Sequence, residues 1–275
     1  MRLLLLTALT MVAFAANSVI NRLSLAEGDI GPANFALIRV LSGAIVLLLI
    51  ARATAPARDQ NQKVQWQSVL SLTAYLIGFS FAYVTLETGI GALILFGGVQ
   101  LTMFASAIFA REPISTQRWI GSATALAGLI WLLAPGQVAP PVTGALLMGF
   151  AAIGWGVFSL MGRKVTDPLL ATQTSFLWAL PLVALIAFVI PDAEALTTNG
   201  VLLAILSGAV TSGLGYYLWY SILPKLDTVV ASTAQLTVPA IALVGGALIL
   251  GEAITLRALI AAALIMSGVF IAARR

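Results

Sequence analysis

The stretch 112-EPISTQRWIGSATALAG-128 has a counterpart 140 residues later in the chain, 252-EAITLRALIAAALIMSG-268. Each copy begins with an acidic residue and ends with a glycine inside an apolar segment. Leu86-Glu87-Thr88 and Leu226-Asp227-Thr228 match at the same offset. Few positions are identical, but this constant spacing predicts that one structural unit occurs twice.

The composition places both units in a membrane. Hydrophobic residues make up 60% of the 275-residue chain and charged residues only 9%, whereas a soluble domain carries about 25% charged residues. A helix needs about 20 apolar residues to cross the hydrocarbon core. Ten segments meet this requirement, at about 3–21, 32–52, 66–85, 89–110, 117–134, 142–162, 169–190, 200–223, 228–250 and 255–273. None alternates as a barrel strand does, so the predicted fold class is an all-α integral membrane protein with ten transmembrane helices.

The stretch 134-APGQVAPPVT-143 is the one Pro/Gly-rich link between apolar segments that suits an internal boundary. It predicts a first five-helix repeat over residues 1–138 and a second over residues 139–275. Because five is an odd number, the second copy enters the membrane the other way up. The predicted arrangement is therefore a pair of inverted repeats, as in many secondary transporters.

The basic residues predict the orientation of the chain. With ten helices both termini lie on one side, and that side collects 11 of the 14 Lys and Arg residues. The positive-inside rule then predicts cytoplasmic N and C termini, in a bacterial-type inner (cytoplasmic) membrane. Since these residues are spread over helix ends rather than clustered, the basic balance does not indicate a nucleic-acid partner.

The sequence contains no cysteine and no histidine. Disulfides, thiolate metal sites and Ser-His or Cys-His catalysis are excluded on that ground. A Ser-Lys dyad is not expected either, because all three lysines fall in predicted loops. We therefore predict a protein that is not an enzyme and holds no cofactor and no metal.

The stretch 248-LILGEAITLRALIAAALIMSGVFIAA-273 has a Gly-Glu after one helix and a small-residue helix that closes on glycine. It resembles the end of an EamA-type repeat of the drug/metabolite transporter superfamily. Leu236–Pro239, Tyr216–Tyr220 and Trp155-Gly156 fit the same repeat. The resemblance implies a ten-helix exporter of small metabolites with a central cavity between the halves. The aromatic richness of helices 3 and 8 is similar to that of YddG-like aromatic amino-acid exporters.

The first half departs from the family pattern at two places. Arg111-Glu112 replaces Gly-Glu, and Ala15-Ala16-Asn17 stands where Trp-Gly is common. These changes are compatible with the fold that the resemblance implies. They give no support for transferring a function of helix 1 from the family.

Aromatic and polar side chains in the apolar segments predict a substrate cavity. Tyr75, Phe79 and Tyr83 share one face of helix 3, and Trp219 of helix 8 corresponds to Phe79 at the offset of 140. Buried amides are costly in lipid and should face protein or water. The predicted lining residues are Asn17, Tyr75, Phe79, Tyr83, Gln100, Trp155, Trp178, Tyr216, Trp219, Tyr220 and Gln235. An aromatic belt at the lipid interface is the alternative, and it suits Tyr83, Trp66, Trp119 and Trp131 best.

Arg39 is the one charge deep inside a predicted helix, about 10 Å beyond Pro32 at 1.5 Å per residue. Two roles are open. The side chain could snorkel to the interface or pair with Glu27, Asp29 or Glu87, which we favour because one or two turns of reach suffice. Alternatively, it could bind the carboxylate of a substrate.

Gly97 and Gly98 lie side by side in the middle of helix 4, where each costs about 1 kcal/mol relative to alanine. The same offset carries them to Thr237-Val238, next to Pro239 of helix 9. Paired interruptions of this kind indicate a binding or hinge region, so we predict a hinge or gate at Gly97, Gly98 and Pro239. Close packing against a neighbouring helix is the alternative for the glycines.

Every acidic residue falls at a helix end or in a loop, which argues against proton antiport and against a cationic substrate. We predict export of small neutral or zwitterionic metabolites by alternating access, facilitated rather than proton-coupled. Amino acids, above all aromatic or hydrophobic ones, are the favoured substrates. The expected partners are this small molecule and the lipid bilayer, with the chain as a monomer or homodimer. A proton-coupled antiporter, a passive channel and a membrane-embedded enzyme are the alternatives.

Overall fold

The computed structural model describes residues 2–54, 64–136, 139–162, 165–226 and 234–274. Over these ranges the regular structure is entirely helical. The helices are α1 (Arg2–Ala26), α2 (Pro32–Thr54), α3 (Trp66–Tyr83), α4 (Thr88–Phe109), α5 (Thr116–Leu133), α6 (Val142–Gly162), α7 (Pro168–Val189), α8 (Thr198–Lys225), α9 (Thr237–Leu250) and α10 (Leu256–Ala273). Each predicted apolar segment overlaps one of them, which confirms the all-α membrane fold; the start of the ninth segment lies outside the described residues.

Seven of the described helices are long and apolar enough to cross a membrane on their own, namely α1, α2, α4, α6, α7, α8 and α10. The outer surface is correspondingly apolar. Phe109, Phe188 and Leu248 are each more than 80% exposed. An exposed apolar surface of this extent is suited to contact with lipid.

Side chains at the helix starts explain several of the boundaries. Asp167 accepts a hydrogen bond from the Leu170 amide at 3.1 Å, directly before Pro168. Thr197 and Thr255 cap α8 and α10 in the same way. These capping oxygens satisfy amides that have no partner within the helix.

Most of the described helices pack on more than one other. α5 packs on α10, α2 on α7 and α8, α4 on α6 and α9, α3 on α6 and α7, and α1 on α8 and α9. A Cβ built on Gly268 would lie 2.5 Å from the Ala125 nitrogen. The small residues of α5 and α10 therefore allow two backbones to approach closely, as in other membrane helix pairs.

Two segments depart from α-helical geometry. Residues Ser207–Leu214 of α8 and Gly246–Leu250 of α9 form π-helical turns. Such turns often occur at functional sites because they shift which residues share a helix face. The one in α8 faces the centre of the molecule, with Ser207, Thr211 and Ser212 buried.

Candidate functional site

Arg39 lies at the centre of a fully buried polar cluster. Its Nε donates to Ser212 Oγ at 2.9 Å, and its Nη2 donates to the hydroxyls of Tyr75 and Tyr216 at 3.1 and 2.9 Å. The Tyr216 hydroxyl in turn donates to that of Tyr75 at 3.1 Å. Helices α2, α3 and α8 thus meet at one guanidinium.

The structure overturns the favoured expectation for Arg39. The residue is 0% exposed, and α2 turns it towards α3 and α8, so it does not snorkel. None of Glu27, Asp29 and Glu87 pairs with it; Asp29, for example, accepts from Thr197 and Asn199. Among the described residues no carboxylate forms an ion pair with this guanidinium, and its Nη1 has no hydrogen-bond partner.

Aromatic rings supply part of the compensation for this charge. The guanidinium carbon of Arg39 lies 5.0 Å from the centre of the Phe79 ring and 5.2 Å from that of Tyr75. Both distances fall in the range of cation–π attraction, which is stronger where water is excluded. Phe79 therefore contacts the cation from the face of α3 that it was predicted to share with Tyr75 and Tyr83.

Asn17 extends the cluster to α1. Its Oδ1 accepts from Ser207 Oγ at 2.7 Å and from Thr211 Oγ1 at 2.9 Å, and its Nδ2 donates to the Tyr75 hydroxyl at 3.3 Å. Asn17 is thus the shared partner of α3 and the π-helical part of α8. Its predicted place among the buried polar groups agrees with these contacts.

The aromatic residues of helices 3, 6 and 8 form one continuous cluster. The Trp155 ring lies 4.7 Å from that of Tyr216 and 4.9 Å from that of Tyr75, measured between centroids. The other predicted members pack in the same buried core, namely Phe79, Tyr83, Trp219 and Tyr220. Tyr83 is 0% exposed and donates to the Thr88 carbonyl at 3.2 Å, so the lipid-interface alternative is wrong for this residue.

Trp178 is not part of this cluster. It is 44% exposed and packs edge-on against Trp66 at 5.4 Å on the outer surface. Its neighbour Phe176 points inward, and two residues along an α-helix turn a side chain by about 200°. The prediction that Trp178 lines the cavity is therefore corrected: it lies on the outer surface, as Trp66, Trp119 and Trp131 do.

Gln100 and Gln235 both line a separate pocket. It lies between α4, α9 and α10 and has a volume of about 30 Å³, room for roughly two waters at 10–15 Å³ each. Its other lining residues are apolar, and Pro239 is among them. The two glutamines thus share this pocket with Pro239, the predicted hinge residue, whereas Arg39 does not line it.

Helix α4 runs without a break through Gly97 and Gly98. A Cβ on Gly98 would lie 2.7 Å from the Cβ of Ala152 in α6, and one on Gly97 would lie 3.1 Å from the Leu129 side chain in α5. The glycines therefore permit close packing, which was the alternative reading. Pro239 occupies the first turn of α9, where a missing amide donor is tolerated.

Comparison with known proteins decides the family. Residues 142–274 match the EamA-like transporter family. An uncharacterized protein of Pseudomonas aeruginosa is 42% identical over 255 residues, which cover 91% of this chain and 87% of that protein. The chain belongs to the EamA-like transporter family. The resemblance to EamA-type transporters is confirmed.

Two further proteins are similar to this EamA-like transporter. A solved crystal structure matches with a TM-score of 0.67 at 20% identity, over 96% of each chain, which shows a common fold. A protein of Streptantibioticus cattleyicolor named "Probable terminal-alkyne amino-acid exporter" is 27% identical over 260 residues, covering 89% of this chain and 85% of that protein.

An ion pair joins helix ends on one face of the EamA-like transporter. Arg22 Nε lies 3.2 Å from Glu252 Oε1, and Arg22 Nη1 donates to the Tyr83 and Val84 carbonyls. Glu252 also accepts from the Thr88 amide at 2.9 Å. A single carboxylate therefore ties the loop before α10 to the end of α1 and the start of α4.

Glu87 lies beside the Arg22–Glu252 ion pair. Burial raises the pKa of its carboxyl, and the negative charge of Glu252 raises it further. Both effects disfavour the ionised form. Glu87 is therefore the acid on this face that binds a proton more readily than usual.

Sequence reasoning missed several members of the central cluster. Ser207 and Thr211 bind Asn17, and Phe14 packs against Trp155, Tyr216 and Trp219. The spacing of Ser207, Thr211 and Ser212 was a usable signal, since three hydroxyls on one face of an apolar helix are costly unless they bind one another or protein.

Proposed function

We propose that this EamA-like transporter exports small neutral or zwitterionic metabolites, in particular amino acids with aromatic or hydrophobic side chains. The observation that carries this proposal is the buried cluster around Arg39, in which hydrogen-bonding groups and aromatic rings from α1, α2, α3, α6 and α8 meet. Buried polar and charged groups in membrane proteins mark substrate pathways. The name of the amino-acid exporter relative supports the same substrate class.

We assign the mechanism to alternating access between two inverted repeats, residues 1–138 and 139–275. Three of the helix contacts support this assignment, because α2/α7, α4/α9 and α5/α10 each join corresponding members of the two repeats. Tyr75 and Tyr216 stand 141 residues apart and meet hydroxyl to hydroxyl. Rocking of one repeat against the other would separate such contacts.

The excess of Lys and Arg on one side supports an inner-membrane location with both termini cytoplasmic. In that orientation the Arg22–Glu252 pair closes the outer face. Facilitated transport is supported by the position of the carboxylates, since those in the described residues lie outside the membrane-spanning helices. A proton-coupled antiporter is the second candidate, and the raised pKa of Glu87 is the observation in its favour.

Flux into proteoliposomes tests the proposal. We expect radiolabelled phenylalanine, tyrosine and leucine to equilibrate without an imposed pH difference, in a saturable manner and faster than into protein-free vesicles. A Trp119→Ala variant, altered only at an exposed ring, should behave as the wild type. Absence of flux across a broad panel of neutral metabolites would reject the transport proposal, and accumulation only under a proton gradient would favour the antiporter.

A further inference from the structure

The Arg39 guanidinium is a buried cation with one nitrogen unused. Arg39 is 0% exposed, its Nε and Nη2 donate to three hydroxyls, and Nη1 has no partner among the described residues. Every hydrogen-bond partner in this set is neutral. Among the residues that the structure describes, the positive charge therefore has no counter-ion.

Such an arrangement is costly unless something else compensates it. Removing a charge from water without a partner costs several kcal/mol even after relaxation, and an unmade hydrogen bond at a charged group adds to that cost. Ring faces of Phe79 and Tyr75 recover only part of it. A transiently bound anion would recover the rest.

The cluster is also short of acceptors. The Tyr75 oxygen receives hydrogen bonds from Arg39, Asn17 and Tyr216, although a hydroxyl has two lone pairs and one proton to donate. Asn17 Oδ1 is likewise taken by two hydroxyls. A carboxylate has about four lone-pair sites and no donor. It would therefore supply both the missing negative charge and the missing hydrogen-bond acceptors.

We propose that Arg39 binds the carboxylate of the transported substrate and that the site selects molecules bearing a carboxylate. This inference rests on the proposed transport function. Trp155 and Phe79, which lie beside Tyr75, provide the apolar surface for the rest of the molecule. No carboxylate of the described residues faces the cluster, so the substrate's ammonium group contributes less to recognition than its carboxylate.

The test compares four ligands of similar size: phenylalanine, 3-phenylpropanoate, phenylalanine amide and 2-phenylethylamine. Each competes with radiolabelled phenylalanine for binding to purified wild-type protein and for flux. We expect the first two to compete comparably and the last two at least about tenfold more weakly, because a hydrogen bond to a charged group is lost. Equal competition by the amide would overturn the Arg39 proposal while leaving the transport function intact. Failure of these ligands and of the broad panel of neutral metabolites to bind or move would reject both.

Variants separate binding from a structural role. Arg39→Gln removes the charge, and we expect it to lose the preference for carboxylates while its melting temperature without ligand stays equal to or above that of the wild type. Arg39→Lys, which keeps the charge, should retain part of the preference. A large drop in thermal stability of Arg39→Gln together with an unchanged ligand preference would show a structural residue. The ligand comparison on the wild type needs no variant and decides the question if Arg39→Gln fails to fold.

Discussion

The hydroxyl oxygens of Tyr75 and Tyr216 lie 3.1 Å apart, and both accept a hydrogen bond from Nη2 of Arg39. The two tyrosines come from α3 and α8, which belong to different halves of the chain. The contact therefore joins the halves at the proposed substrate site. Any movement that separates α3 from α8 must break this hydrogen bond. Substitution of either tyrosine should therefore alter transport.

Tyr216→Phe removes one acceptor of Arg39 and the donor to Tyr75. Because a hydrogen bond to a charged group is worth about 1.5–3 kcal/mol, we expect a lower melting temperature and a raised KM for the transported amino acid. Thermal unfolding in detergent and flux assays measure the two effects. Tyr217→Phe, the next residue of the same helix, is the matched control, and an equal loss there would contradict the specific role of the Tyr216 hydroxyl.

Ser212→Asp places a carboxylate next to Arg39 Nε, where Ser212 Oγ now accepts at 2.9 Å. The internal ion pair should raise the melting temperature without ligand and weaken binding of carboxylate ligands by about tenfold or more. Ser212→Asn, similar in size but neutral, should show neither change. Unchanged ligand affinity in Ser212→Asp would argue against competition for the Arg39 charge.

Glu252→Gln weakens the closure of the proposed outer face, because Arg22 loses its ionic partner. The chain has no cysteine, so a single Ser18→Cys substitution at this buried position of α1 reports access. We expect a membrane-impermeant maleimide to label this cysteine several-fold faster when Glu252 is replaced. Glu112, which stands 140 residues before Glu252 in the sequence, is 58% exposed at its side chain. Glu112→Gln should leave labelling unchanged.

Glu87→Gln tests the proton affinity of the Glu87 carboxyl. The pKa of Glu87 is raised in the folded protein, so folding favours its neutral form relative to the unfolded chain. The folded state therefore loses stability as the pH rises from the ordinary pKa of glutamate through the raised one. We expect Glu87→Gln to have the higher melting temperature at neutral pH. The difference should vanish below the ordinary pKa of glutamate, and a difference independent of pH would contradict this account.

Gly98→Leu should abolish transport while the protein still inserts into the membrane. Its Cβ would already approach the Ala152 Cβ to 2.7 Å, and forcing α4 away from α6 costs about 1–3 kcal/mol. Flux and thermal unfolding report the effect. Gly149→Ala in α6, whose Cβ would meet nothing within 4 Å, is the control. Wild-type flux in Gly98→Leu would exclude both close packing and hinge motion as requirements at this position.

The position of each helix could be predicted from the sequence, because the requirement of about 20 apolar residues is local to each segment. Arg39, Asn17, Tyr75 and Tyr216 could be singled out for a similar reason: a polar or amphipathic residue inside an apolar run is visible without knowledge of its neighbours. Family membership followed from the second-half motif, which depends on order along the chain.

The partners of these residues depended on tertiary structure. Arg39 binds Ser212, 173 residues away, and nothing in α2 alone indicates whether its side chain turns outward or inward. Trp178 faces outward because α7 is rotated to bury Phe176, and Ser207 and Thr211 converge on Asn17 in a π-helical stretch that hydropathy does not reveal. The sequence by itself therefore determined the helices, the family and the polar residues within the membrane. Only the packing of distant helices decided that these residues enclose one buried cation with no counter-ion in the described part of the chain, since the rotation of each helix about its axis is set by contacts from the whole chain.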